Sequence, residues 1–121
     1  MDKSSSFENL IMWQKMHQIV LDIYKMTNTF PKSELFGITS QIRRSAVSVA
    51  ANIVEGFSKK GKAYKLRFFN IAEGSLEETN YFLILIKDLE YSETGYLREK
   101  IKEVGRMLKG YTNTIRKSLD A

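Results

Sequence analysis

Residues 41–56, QIRRSAVSVAANIVEG, could form about four turns of α-helix, yet they hold few large side chains. At 3.6 residues per turn, this helix has three distinct faces. The first, which we expect to face a bundle core, comprises Ile38, Ile42, Ser45, Ala46, Val49, Ile53 and Gly56. A polar stripe beside it comprises Gln41, Arg44, Ser48, Asn52 and Glu55. The third face is mostly apolar and comprises Arg43, Val47, Ala50 and Val54, with Ala51 at its edge.

Three further helices are predicted around this one, because apolar residues recur at helical spacing and no strand-like alternation occurs. The four helices span about residues 8–28, 39–57, 63–89 and 95–119, with Thr39 or Ser40 and Ser92 or Thr94 as expected caps of the second and fourth. Short turns make antiparallel neighbours. The sequence therefore predicts an all-α protein, an up-down-up-down four-helix bundle in a single domain over residues 1–121.

The first helix has two apolar faces, one with Trp13 and His17 and one with Met12 and Met16. His17 is interpreted as a core histidine. The third helix carries Gly74 near its middle, where a close neighbouring backbone could offset the low helix propensity. Its predicted core stripe comprises Tyr64, Phe68, Ile71, Ala72, Ser75, Leu76, Thr79, Phe82, Leu83, Ile86 and Leu89.

Second apolar faces on three helices favour a homo-oligomer, because large exposed apolar patches usually mark interfaces. The alternative is that a tightly packed bundle buries both faces internally. The candidate interface residues are Val47, Ala50, Ala51, Val54, Phe69, Tyr81, Ile84 and Leu85.

Positive charge is concentrated in the middle of the chain. Residues 39–67 contain seven basic residues and one acidic residue, whereas the whole chain has a net charge of +5. Such a patch attracts polyanions and contacts phosphates without reading sequence, although charge also serves solubility. Tyr64 and Phe68 interleave with it, but their spacing favours the core over base stacking. The candidate nucleic-acid-binding residues are Arg43, Arg44, Lys59, Lys60, Lys62, Lys65 and Arg67.

No enzymatic chemistry is predicted. The chain has no cysteine and a single histidine, so neither a thiolate zinc site nor paired Glu-x-x-His motifs can form. Glu73 and Glu77 are interpreted as part of a solvated face, and we expect no cofactor and no metal. With no apolar signal core and no membrane-length apolar run, the expected location is the cytoplasm.

Three motifs stand out, namely L-x-x-WQK-x-H at residues 10–17, FP-x-x-E-x-FG-x-TSQIRRSA-x-S-x-AANI-x-EG at residues 30–56, and F-x-IAEGSLEE at residues 69–78. They resemble the four helix bundle proteins encoded in intervening sequences of bacterial 23S rRNA genes, a family often labelled as ribosomal protein. Met16 stands where alanine is common in the family, and Ala50 where proline is common, so we expect a more regular second helix here.

A related branch resembles the accessory variability protein of diversity-generating retroelements, a pentameric barrel of four-helix bundles implicated in binding a reverse transcriptase and nucleic acid. The resemblance implies a homopentamer and association with RNA or DNA, and it supplies no catalytic residue. Two hypotheses follow. The first is a small nucleic-acid-associated oligomer. The second is a protein-interaction scaffold or reverse-transcriptase accessory subunit whose charge serves only solubility.

Overall fold

The computed structural model describes residues 6–120, which contain four long helices and no strand. These are α1 (Ile11–Thr27), α2 (Ser40–Ser58), α3 (Lys62–Asp88) and α4 (Gly95–Asp120). Each begins and ends within three residues of its predicted bound. The all-α class is therefore confirmed.

Each helix packs on its neighbours in sequence, and α1 also packs on α4, which closes a four-membered ring. Consecutive helices run antiparallel. Ser45 and Ser48 of α2 meet Thr79 and Ser75 of α3 respectively, so one helix rises in number as the other falls. This arrangement is that of an up-down-up-down bundle.

The face of α2 predicted for the core is confirmed, since every one of its residues is buried. Its small residues allow α3 to approach closely. A Cβ added at Gly56 would lie 2.7 Å from the ring of Phe69, so only glycine leaves room for that ring. Ser45 Oγ and Thr79 Oγ1 lie 2.8 Å apart in a buried hydrogen bond, and Ser48 Oγ lies 2.9 Å from Ser75 Oγ. The serines of α2 thus set the register of two helices within one chain.

Phe69 requires a correction, because the sequence placed it among the interface residues. Its side chain is 0% exposed and belongs to the core. Its ring packs edge-on against Tyr111 of α4, with centroids 5.2 Å apart, as well as over Gly56. Gly56 has no Cβ and therefore leaves space for this ring in the core. A helical wheel of α3 alone cannot show this space, because Gly56 belongs to α2.

The predicted core stripe of α3 is wrong at Tyr64, Ile71 and Leu89, which are exposed. Apolar residues occur around most of this helix, so periodicity could not choose between overlapping faces. Contact with the small residues of α2 decides the orientation. The buried residues of α3 are Phe69, Ala72, Leu76, Thr79, Leu83 and Ile86.

The interpretation of His17 as a core residue is also wrong. The core face of α1 is its methionine and isoleucine face, which includes Met12 and Met16. His17 is exposed and stacks on Trp13, with ring centroids 4.9 Å apart and planes inclined by 7°. Methionine and isoleucine side chains therefore fill the core, and the stacked rings of Trp13 and His17 lie outside it.

Helix α2 is entered through a π-helical turn, Leu35–Thr39, with a kink at Gly37. Thr39 precedes α2 in a helical conformation and makes no side-chain cap, so the predicted capping role does not occur. At the start of α4, the hydroxyl of Thr94 donates to the carbonyl of Leu83 at 2.8 Å and ties the α3–α4 turn to α3.

Candidate nucleic-acid interface

The seven candidate basic residues do not form one patch. Arg43 and Arg44 lie near the start of α2, whereas Lys59 follows its last residue, roughly 24 Å from Arg43 along the helix. The structure gathers Lys59, Lys60, Lys62, Lys65 and Arg67 around the turn between α2 and α3, which we call the basic turn. The predicted contribution of the two arginines to this patch is therefore corrected, because a helix of this length separates them from it.

Arg43 is occupied in joining α2 to the end of α1. Its Nε donates to Thr27 Oγ1 at 2.8 Å, and its Nη2 donates to Asn28 Oδ1 at 3.1 Å. Its guanidinium carbon also lies 4.5 Å from the centre of the Tyr24 ring. A half-buried arginine held by three partners acts first as a structural clamp. Arg44, one residue later, is exposed.

Lys65 closes the C-terminal end of α2. Its Nζ donates to the carbonyl oxygens of Gly56 at 3.2 Å and Phe57 at 2.9 Å, which no helical N–H satisfies. A cation at this position also complements the negative end of the helix dipole. Burial lowers the pKa of the Lys65 ammonium from its ordinary value. Lys65 therefore holds the basic turn in shape.

The other four cations of the basic turn stand closer to solvent. Lys59 pairs with Glu55 at 3.4 Å, and its Nζ lies 5.1 Å from the centre of the Phe68 ring. Lys62 donates to Ser118 Oγ of α4. Within residues 6–120, Lys60 and Arg67 make no ion pair or hydrogen bond. These two side chains are free to meet an external anion.

Two cavities, each of about 460 Å³, flank the basic turn. The first, the α4-side cavity, is lined by Lys60, Lys62, Lys65, Tyr111, Thr114, Ile115 and Ser118. The second, the Tyr64 cavity, is lined by Lys59, Tyr64, Arg67 and Phe68. Among the side chains that the structure describes, no carboxylate lines either one, so an anion entering them meets cations, hydroxyls and apolar surface.

Sequence reasoning missed the part that Tyr64, Tyr111 and Ser118 take in these cavities. Tyr111 and Ser118 belong to the far end of α4, and only tertiary packing brings them to the basic turn. Tyr64 carried a signal, since it stands between Lys62 and Lys65, but its helical spacing from Phe68 favoured the core.

The outer faces of α2 and α3 keep apolar surface in solvent. Val47 is 42% exposed and Tyr81 is 56% exposed, and Ala51 is exposed as well. The remaining predicted interface residues apart from Phe69 are half-buried; they are Ala50, Val54, Ile84 and Leu85. This surface is available to a partner.

A third cavity, a groove of about 350 Å³, runs between α3 and α4. Glu73 and Glu77 line it on one side, and Lys102, Arg106 and Lys109 line it on the other. Glu77 is exposed as expected, whereas Glu73 is half-buried and its Oε1 has no hydrogen-bond partner among the described residues. Over residues 6–120, no group of three or more His, Cys, Asp or Glu side chains is close enough to hold a metal ion.

A family model described as "23S rRNA-intervening sequence protein" matches residues 8–110. The chain belongs to this family. The match covers all of α1, α2 and α3 and the first part of α4, so it includes the basic turn. The resemblance seen in the sequence motifs is thereby confirmed. Among curated proteins, none matches the chain.

The fold recurs in the crystal structure of a protein of unknown function from the S23 ribosomal protein family of Bacteroides thetaiotaomicron. The two chains share 25% sequence identity and superpose with a TM-score of 0.76. The match covers 84% of this chain and 98% of the other. In the part of the chain that the structure describes, no helix has both the length and the hydrophobicity of a membrane span.

Proposed function

We propose that this member of the 23S rRNA-intervening sequence protein family is a non-enzymatic, RNA-associated protein of the cytoplasm that works as a homo-oligomer, a pentamer. The observation that supports RNA association best is the basic turn. Five cations meet at one end of the bundle, and Glu55 is the single acidic residue in residues 39–67. Cations in such an arrangement bind phosphates and release counterions.

The geometry favours contact with phosphates rather than recognition of the base pairs of a duplex. Lys60 and Arg67 have no partner within the described residues, whereas Lys65 donates to a carbonyl oxygen at the end of α2 and so stabilises the turn. A protein that reads duplex sequence inserts a helix or a β-ribbon into the major groove. Here a turn between two antiparallel helices presents the charge, which suits a phosphate backbone.

The oligomer is supported by the apolar surface on α2 and α3, which includes Val47 and Tyr81. Repetition of the basic turn around a ring would multiply weak contacts with one RNA, because each further contact forms at a high effective concentration. Homo-oligomerisation would thus strengthen binding by a modestly charged chain.

The test compares two triple variants by RNA binding across salt. The first changes Lys60, Lys62 and Arg67 to glutamine, and leaves Lys65 in place because it closes α2. The matched control changes Lys25, Lys32 and Lys87 to glutamine as well. These three lysines are exposed and lie at the opposite end of the bundle. Both variants lose the same charge.

The first variant should weaken binding at about 50 mM salt and flatten the plot of log affinity against log salt by about two units per protomer bound, since each phosphate contact with a single strand contributes about 0.7. The control should change the slope far less. Equal effects of the two variants would mean that only net charge matters, and no binding by the wild type at low salt would refute RNA association.

The second candidate is a protein-interaction scaffold or reverse-transcriptase accessory subunit, and the exposed apolar surface with Val47 and Tyr81 favours it. On this hypothesis, the Lys60, Lys62 and Arg67 variant should retain all its protein partners in a pull-down. Loss of RNA alone from the same pull-down favours the first function.

A further inference from the structure

Tyr64 is an aromatic ring that the fold leaves in solvent. Its side chain is 62% exposed, although it stands in the first turn of a helix whose other face enters the core. The ring lies along the basic turn, because a Cβ added at Gly61 would be 3.1 Å from Tyr64 Cδ2. The turn therefore supports one side of the ring and leaves the rest open.

Within residues 6–120, Tyr64 stacks on no other ring and its hydroxyl makes no hydrogen bond. Its neighbours in the Tyr64 cavity are Phe68 and two cations, Lys59 and Arg67. Lys59 lies 5.1 Å above the Phe68 ring, so it covers that ring, and Tyr64 is left as the open aromatic surface. A large exposed ring between cations is the arrangement with which proteins hold single strands.

We propose that the Tyr64 cavity holds one unpaired base of single-stranded RNA, stacked on the Tyr64 ring, while Arg67, which is unpaired within residues 6–120, contacts a flanking phosphate. This inference rests on the proposed function and adds to it the kind of RNA that the basic turn selects.

Stacking of a base on Tyr64 would make the protein prefer single strands to duplexes. Lysines and arginines bind the phosphates of either form, so charge alone does not discriminate. A base can cover the Tyr64 ring only when it is not already stacked within a helix, as in loops and single strands. The cavity is an open groove of about 460 Å³, a volume large enough for one small planar group.

The experiment uses fluorescence anisotropy with two probes, a single-stranded RNA of about 16 nucleotides and a duplex of the same length. The full chain is compared as wild type, Tyr64→Ala and Tyr64→Phe. The matched control is Tyr96→Ala. Tyr96 is 69% exposed and has Lys100 Nζ 5.4 Å from its ring centre, but it lies at the start of α4, at the other end of the bundle.

Tyr64→Ala should weaken single-strand binding by about 5- to 150-fold and leave duplex binding within about twofold. Tyr64→Phe keeps the stacking surface and should bind both probes like the wild type. The salt dependence of single-strand binding should not change in Tyr64→Ala, because no phosphate contact is removed. Tyr96→Ala should alter neither affinity.

Three results would overturn the inference. The first is wild-type affinity of Tyr64→Ala for the single strand, and the second is an equal loss on both probes. The third is a Tyr64→Ala protein whose mass by light scattering falls, which would assign the ring to contact between copies. In each case RNA association itself survives if the wild type binds at about 50 mM salt, whereas no wild-type binding to either probe removes both proposals.

Discussion

Gly56 provides the sharpest test of how α2 and α3 pack. In Gly56→Ala, the added Cβ would lie 2.7, 2.8 and 2.9 Å from Cε1, Cδ1 and Cζ of Phe69. Carbon atoms prefer about 3.5–4.0 Å, so the ring must move by about 1 Å. The Phe69 ring is 0% exposed and is held on its other side by Tyr111 at 5.2 Å, which leaves little space for that movement.

Two effects of Gly56→Ala oppose each other. Overpacking of a core lowers the free energy of unfolding by about 1–3 kcal/mol. Replacing glycine by alanine within a helix raises it by about 0.5–1 kcal/mol, and the last turn of α2 is where that gain is smallest. We therefore expect a net loss of about 1–2 kcal/mol, equivalent to a fall of about 4–8 °C in melting temperature for a chain of this size.

Gly74→Ala is the matched control, since a Cβ there meets nothing within 4 Å. The same substitution should raise the free energy of unfolding by up to about 1 kcal/mol. Urea unfolding followed by far-UV circular dichroism measures both variants at one protomer concentration, because the proposed assembly would make stability depend on concentration. If Gly56→Ala is as stable as Gly74→Ala, the contact between Gly56 and Phe69 does not limit the packing of α2 on α3.

Three further changes test the clamp, an ion pair and the outer surface. Arg43→Lys should lower the free energy of unfolding by about 1–2 kcal/mol in urea, because an ammonium cannot reproduce the fork of bonds to Thr27 and its neighbours. Glu103 pairs with Lys15, which lowers the pKa of that carboxyl below its ordinary 4.5. A lowered carboxyl pKa favours folding above the unfolded-state value, and the gain is lost as pH falls through the folded-state value. Glu103→Gln should therefore reduce stability near neutral pH, and its difference from wild type should vanish at more acidic pH in a series of urea titrations. Val47→Asp should lower the mass in light scattering while helical circular dichroism is retained, because Val47 is 42% exposed within one chain.

Each of these three predictions has a result that would contradict it. For the clamp, it is wild-type stability of Arg43→Lys. For the ion pair, it is a stability difference that grows below pH 4.5, the ordinary value of the carboxyl. For the outer surface, an unchanged mass of Val47→Asp would show that this surface takes no part in assembly. A loss of helicity would show that Val47 stabilises the bundle itself.

Much of the fold could be predicted from the sequence because the core face of α2 could be recognised from its pattern, although α2 also has a second apolar face. Small residues such as Ser45 and Ala46 alternate with Ile42 and Val49, and all four are buried as predicted. Periodicity is decisive where apolar and polar residues segregate on the helix surface.

Prediction failed where a helix is apolar on several sides. On α3 the wheel gave no reason to prefer Phe69 to Tyr64, and the choice depends on Gly56, which belongs to another helix. On α1 the pair Trp13 and His17 looked like a core stripe, but their stacking on each other satisfies both rings at the surface. Pairwise contacts of this kind are absent from the periodicity of a single helix.

The candidate site was predicted in part for a similar reason. Composition located the positive charge between residues 39 and 67. It could not show that α2 separates Arg43 from Lys59, or that Lys65 is held by the carbonyls of Gly56 and Phe57. Segment charge is a one-dimensional quantity, whereas a binding surface depends on which side chains remain free after the helices have packed.

Ultraviolet crosslinking of the wild-type protein to single-stranded RNA, with the crosslinked peptides identified by mass spectrometry, tests the central proposal most directly. The proposal predicts crosslinks within residues 59–68, with Tyr64 the principal crosslinked residue. Crosslinks confined to the opposite end of the bundle, around Arg44, or the absence of any crosslink at low salt would contradict it.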